Sequence, residues 1–152
     1  MTDAGNNIHA TAVVIGTRGL ILVGPSGAGK TALALALMAT GKERGLFAAM
    51  ISDDQVFISN RNGSIIARRP PAIAGLAEIR GAAVVSVDSI ETAVLDFAIL
   101  PVRPPFHPRL PPENEQFELP GGNRLPLWRL PYGEGANSFD LLRRILPQDG
   151  AF

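Results

Sequence analysis

The stretch Gly24-Pro25-Ser26-Gly27-Ala28-Gly29-Lys30-Thr31, GPSGAGKT, decides how this 152-residue chain is read. It satisfies G-x-x-x-x-G-K-[ST], with an apolar run, GLILV (19–23), before it and TALALALMATGKERG (31–45) after it. A strand entering a glycine-rich turn that opens a helix is the setting this pattern requires. Glycine lets the backbone curl until its N–H groups converge on phosphate oxygens, and the helix start adds favourable partial charge. Gly24–Thr31 is therefore the expected nucleotide cradle, with Lys30 on the terminal phosphates and the Thr31 hydroxyl as a magnesium ligand.

Working outward, HATAVVI (9–15) and GLILV are β-branched runs joined at Gly16–Gly19, which predicts two strands and a tight turn. The Ala- and Leu-rich segment after the loop predicts a helix of about three turns, stopped by Gly41 and Gly45. AAMISDDQVFISN (48–60) reads as a strand interrupted by Asp53-Asp54 and then resumed; Asn60–Gly63 is a hairpin turn and SIIARRP (64–70) its return. If Asp53 and Asp54 are strand neighbours they face opposite ways, so only one should reach the terminal phosphate. Residues 72–82 (AIAGLAEIRGA) predict a loop with a helical turn, while AVVSV (83–87) and LDFAILPV (95–102) are further strands. Nine of the thirteen prolines lie between Pro101 and Pro131, which predicts a long surface loop or partner-binding segment with RLPLWRLP (124–131) as an edge strand. NSFDLLRRIL (137–146) predicts a closing helix, capped by Asn137 or Ser138 and stopped by Pro147.

Composition narrows the function. Hydrophobic residues at 46% and charged residues at 18% indicate a globular chain, and the length suits one domain, 1–152. Fourteen basic residues against fourteen acidic ones leave no excess to recruit nucleic acid or a membrane surface. Cysteine is absent, which excludes a disulfide framework, a thiolate nucleophile and Cys-ligated zinc. MTDAGNNIHA lacks the basic and apolar regions of a secretory signal, and the expected location is the cytoplasm.

With His9, GPSGAGKT, Asp53-Asp54 and AEIRG (77–81) occurring in that order, the chain resembles the catalytic domain of bacterial HPr kinase/phosphorylase. AEIRG is similar to the family's LEIRG signature, with Ala77 for Leu. The likeness covers roughly residues 9–87. It implies an α/β P-loop domain of the phosphoenolpyruvate-carboxykinase-like type with a mixed sheet. It also implies an ATP- and Mg2+-dependent serine kinase acting on HPr or an HPr-like small phosphocarrier, and a homo-oligomer, hexameric as in the family. Asp54 matches the catalytic Asp, His9 the active-site His, and Glu78 the Glu that helps hold magnesium. Asp53 and Arg80 are supporting groups, Arg80 as a planar fork for phosphate. For the family's catalytic Arg, which follows a hydrophobic strand, Arg109 is chosen over Arg103. YGEGAN (132–137) stands where the family has a loop ending Gly-Arg-Asn, with Ala136 for the Arg, and this puts reverse phosphorolysis in question. The family's N-terminal domain has no counterpart ahead of His9, so the expectation is a bare catalytic domain. Two other readings fit a P-loop: a different kinase or NTPase acting on a small molecule, and a non-catalytic ATP-sensing domain. An Arg-rich lid would favour the first, whereas a sensor needs neither Asp54 nor Glu78.

Overall fold

The computed structural model describes residues 6–133, 137–147 and 152. Twelve strands and two α-helices occupy these residues: β1 Asn7–Ile8, β2 Thr11–Ile15, β3 Arg18–Leu22, α1 Lys30–Glu43, β4 Ala48–Ser52, β5 Val56–Arg61, β6 Ser64–Arg68, β7 Leu76–Ile79, β8 Ala83–Ser86, β9 Thr92–Val94, β10 Phe97–Val102, β11 Gln116–Glu118, β12 Arg124–Pro131 and α2 Ser138–Ile145.

Strands β2 and β3 are apolar at nearly every position, and such strands must be covered on both faces. They form the middle of a six-stranded mixed sheet ordered β11-β12-β10-β3-β2-β4. Side chains alternate between two cores. Val13, Ile15, Leu20 and Leu22 pack with Leu33, Leu37, Phe139 and Leu142 of the two helices. Val14, Ile21 and Val23 point the other way, toward Val56, Ile58 and Ile65. Those last residues belong to a four-stranded antiparallel sheet, β1-β5-β6-β9. The layers are thus helices, mixed sheet, second sheet, and β7-β8 forms a separate two-stranded hairpin. The expected α/β fold with a mixed sheet is the one observed.

Direction within the sheet decides where chemistry can gather. β10 pairs in parallel with β3 and with β12, whereas β2 is antiparallel to both β3 and β4. The C-terminal ends of β3, β4, β10 and β12 therefore lie at one edge, together with the start of β2. Strand-end loops at such an edge are where α/β sheets bind ligands.

Three local expectations need correcting. The helical turn expected within 72–82 is confined to a 3-10 turn at Pro71–Ile73, and Leu76–Ile79 is a strand. Its partner β8 supplies hydrogen bonds that the isolated segment lacks, so pairing overrides local preference. RLPLWRLP is not an edge strand: β12 lies between β10 and β11. Its prolines are tolerated because each part of β12 has one partner, residues 124–126 on β11 and 127–131 on β10. The proline-rich segment is also more structured than a loop, since it holds β11, β12 and the end of β10; residues 103–114 alone form an exposed loop. The closing helix is as expected, with the Asn137 side chain accepting from the Asp140 amide at 3.2 Å.

Candidate functional site

α1 opens at Gly29, whose φ of 96° lies in the left-handed region, and no side chain caps its first turn. Four backbone donors at a helix start are thereby left for an anion. A side chain at Gly29 would be strained, and its Cβ would stand 3.3 Å from the Arg103 guanidinium and 3.5 Å from the Tyr132 ring. The loop is a cradle sized for backbone alone.

Lys30 is buried and donates from Nζ to the carbonyls of Gly24 at 2.8 Å and Pro25 at 3.0 Å. Burial pushes its ammonium below the ordinary lysine value, Arg80 acts in the same direction, and Asp54 and Asp53 oppose it. A polyphosphate would supply negative charge that favours the charged form and opposes this shift.

Asp53 is the most heavily bonded side chain of the site. Its Oδ1 accepts from the hydroxyls of Thr11 at 3.0 Å and Thr31 at 2.6 Å, and its Oδ2 accepts the Glu78 backbone N–H at 3.0 Å. Asp54 does not face the opposite way, as strand alternation would require. It follows the end of β4, has φ 75°, and so turns into the same cavity as Asp53. Its Oδ1 lies 3.0 Å from His9 Nδ1, with both side chains more than half exposed. A non-glycine residue in the left-handed region costs energy and persists where its surroundings require it.

These groups share a cavity of about 730 Å³, whose lining includes His9, Thr11, Ser26, Gly27, Gly29, Lys30, Thr31, Asp53, Asp54, Glu78, Arg80 and Arg103. Gly24, Pro25 and Ala28 complete the loop behind it; Pro25 accepts from the Ala28 amide as well as from Lys30. Arg80 donates from Nη2 to Ser26 Oγ at 3.2 Å and so bridges the β7-β8 hairpin to the loop.

Arg109, the arginine chosen from the sequence, does not line this cavity; Arg103 does. The reason is topological. Arg103 comes directly after β10, which runs parallel to the strand feeding the P-loop, while Arg109 lies further out in the exposed loop beside Leu110, itself 78% exposed. The Arg103 guanidinium stands 5.5 Å from the Tyr132 ring centroid, held beside Gly29. Thr11 was also missed: HATAVVI reads as a strand, and nothing in it signals a partner 42 residues away. Ala136 lies outside the described residues.

The donor set suits a hard cation. Thr31 hydroxyl, the Asp53 and Asp54 carboxylates and Glu78 offer oxygen, and nothing soft competes. Among the described residues no three His, Asp or Glu groups close on one point. Magnesium needs no such cage, because it keeps several waters and takes one or two protein oxygens along with substrate phosphates.

Comparison with known proteins gives a consistent picture. The family model described as "HPr Serine kinase C-terminal domain" matches residues 3–94. "HPr kinase/phosphorylase" of Clostridium beijerinckii is 30% identical over 83 residues, covering 55% of this chain and 26% of that protein. The protein of the same name from Clostridium tetani is 30% identical over 97 residues, covering 62% of this chain and 30% of its own length. The matched part thus spans no more than 30% of these two relatives. "Structure of the Hpr(Ser) kinase/phosphatase from Coxiella burnetii" superposes with a TM-score of 0.72 at 22% identity, covering 91% of this chain and 87% of that one. At that identity the match establishes the fold.

Proposed function

The chain belongs to the HPr serine kinase C-terminal domain family, and we propose that it is an ATP- and magnesium-dependent protein serine kinase. Its acceptor is HPr, or a small phosphocarrier like it, and residues 1–152 act as one catalytic domain. The observation that carries this reading is the convergence of the Asp54–His9 pair with Lys30 and Thr31 in one cavity.

The chemistry follows from the residues. Backbone N–H groups of the loop and of the first turn of α1 hold the β- and γ-phosphates, and Lys30 offsets their charge. Thr31 and Glu78 would hold magnesium, with Asp53 orienting the Thr31 hydroxyl, and the bound ion would neutralise charge at the phosphates. Asp54 takes the proton from the acceptor serine as its oxygen bonds to the γ-phosphorus; the bond from that phosphorus to the bridging oxygen breaks, and ADP leaves. His9 fixes the Asp54 carboxylate toward the acceptor. Arg103, rather than Arg109, and Arg80 stabilise charge spread over the transferred group. The exposed loop 103–114 is available for acceptor or subunit contacts, with a homo-oligomer in the cytoplasm as the proposed working form. Since Ala136 offers no cation to inorganic phosphate, the forward transfer is the activity proposed, and phosphorolysis is expected to be weak.

Incubation with labelled ATP, magnesium and purified HPr tests this directly. Label should move to a serine of HPr, and Asp54→Asn should lower turnover by about 100-fold or more while nucleotide still binds. Hydrolysis of ATP with no labelled HPr would favour a different P-loop enzyme. Binding with neither outcome would favour a sensor.

A further inference from the structure

The hydroxyl of Thr11 is buried at the start of β2, 1% exposed, and donates to a carboxylate that is itself 7% exposed. A buried hydroxyl needs a partner, and many find one on their own backbone. This one instead crosses to Asp53, on a different strand end. Asp53 Oδ1 then has two donors, Thr11 and Thr31, and Oδ2 has the Glu78 amide. Two of its three partners carry the proposed cation site: Thr31 by its hydroxyl and Glu78 by its side chain.

We infer that Thr11 is a positioning residue for the cation site, acting through Asp53. The inference rests on the magnesium-dependent reading above. Three donors from three separate elements fix both torsions of the Asp53 side chain. With Oδ1 placed by Thr11, Oδ1 holds the Thr31 hydroxyl by its proton, which leaves the oxygen lone pairs available to a cation. Oδ2, on the other side of the carboxylate, fixes the β7 backbone and with it the place from which Glu78 reaches the ion. Without the Thr11 donor, Asp53 can rotate about the remaining two bonds, and the two ligands lose their common register. Removing one hydrogen bond to a charged group has consequences on the order of a tenfold change in an equilibrium.

The test is nucleotide binding titrated with magnesium, using a fluorescent ATP analogue and no acceptor. Thr11→Val keeps the shape and removes the donor; Thr11→Ser restores it. The expected result is that Thr11→Val needs about tenfold more magnesium for half-maximal binding. Its affinity in EDTA should shift much less, and Thr11→Ser should lie within about twofold of the parent. A purely structural Thr11 would lower the thermal midpoint without moving the magnesium requirement relative to EDTA binding, and that pattern overturns the inference. If Thr11→Val does not fold, Thr11→Ser and Thr11→Ala are compared in the same titration, and equal magnesium requirements overturn it too. Should the parent itself show no magnesium dependence, the cation site fails and the role of Thr11 with it. Parent dependence that is unchanged in Thr11→Val removes only Thr11.

Discussion

Lys30 is where the electrostatics of single residues give a pH prediction. Its ammonium is depressed below 10.5 chiefly by burial, and bound phosphates favour the charged form. Affinity for the triphosphate is therefore full below the free-protein value and falls as pH rises through it, beginning below the ordinary lysine range. Stability of the nucleotide-free protein moves the opposite way. In that window the unfolded lysine binds more protons than the folded one, so unfolding becomes less favourable as pH rises. Calorimetric titration and thermal melts across the alkaline range measure both signs, and affinity that stays flat up to 10.5 would contradict the assignment. The glycine loop, Lys30, His9, Asp54 and Glu78 were all legible in the sequence, because spacing or a family signature marks each. Arg103 was not, since two arginines follow β10 and only strand direction says which one meets the loop. The inward turn of Asp54 was equally hidden: alternation describes a strand, and the chain has left the strand by that residue.

Helices and strands show a second division between local and distant causes. The expected stop at Gly41 is wrong: α1 runs through that glycine, which packs in the core, to Glu43. It is 14 residues long rather than about three turns, and of the two glycines only Gly45 lies beyond its end. That α1 and α2 exist was readable from composition. What α2 does was not, because its use comes from packing. Phe139 is 1% exposed and lies in the core with Leu37 and Leu142, and Arg44 at the end of α1 stands over its ring, 5.0 Å from the centroid. Arg44 also meets Asp140 at 2.6 Å. Phe139 thus joins α2 to α1, the helix that begins at the phosphate loop. Phe139→Ala should cost about 3–5 kcal/mol of stability, read by chemical denaturation. Loss of less than 1 kcal/mol would mean that α2 is docked by its ion pair instead. Strand β7 makes the complementary point. AEIRG carries amphipathic spacing that suits a turn of helix, and its partner β8 decides the matter.

At the scale of the whole molecule, the site depends on two sheets meeting at a fixed distance. The six-stranded sheet brings the P-loop, Thr11 and Arg103 to one edge; β5 of the second sheet starts just after Asp53-Asp54. The joint between them is Gly19 on β3. Its N–H donates to Asp96 Oδ2 at 2.8 Å and its carbonyl accepts the Asp96 N–H at 2.7 Å. A Cβ at Gly19 would lie 1.9 Å from the carbonyl oxygen of Val94, on the last residue of β9. Real atoms do not approach so closely, and the obstacle is backbone, so no side-chain rotation relieves it. Gly19→Ala must push β9 away from β3. The expected cost is about 1–3 kcal/mol or more, with a lowered thermal midpoint. Truncating Val94 to Ala as well should not restore it, because the clash is with the carbonyl. Full recovery in that double variant would show that the layers are spaced by side chains rather than by this glycine. Because Asp54 sits at the junction and His9 lies between the two sheets, a displaced second sheet should also lower transfer to the acceptor more than nucleotide binding, whose loop and lysine are carried by the first sheet and α1.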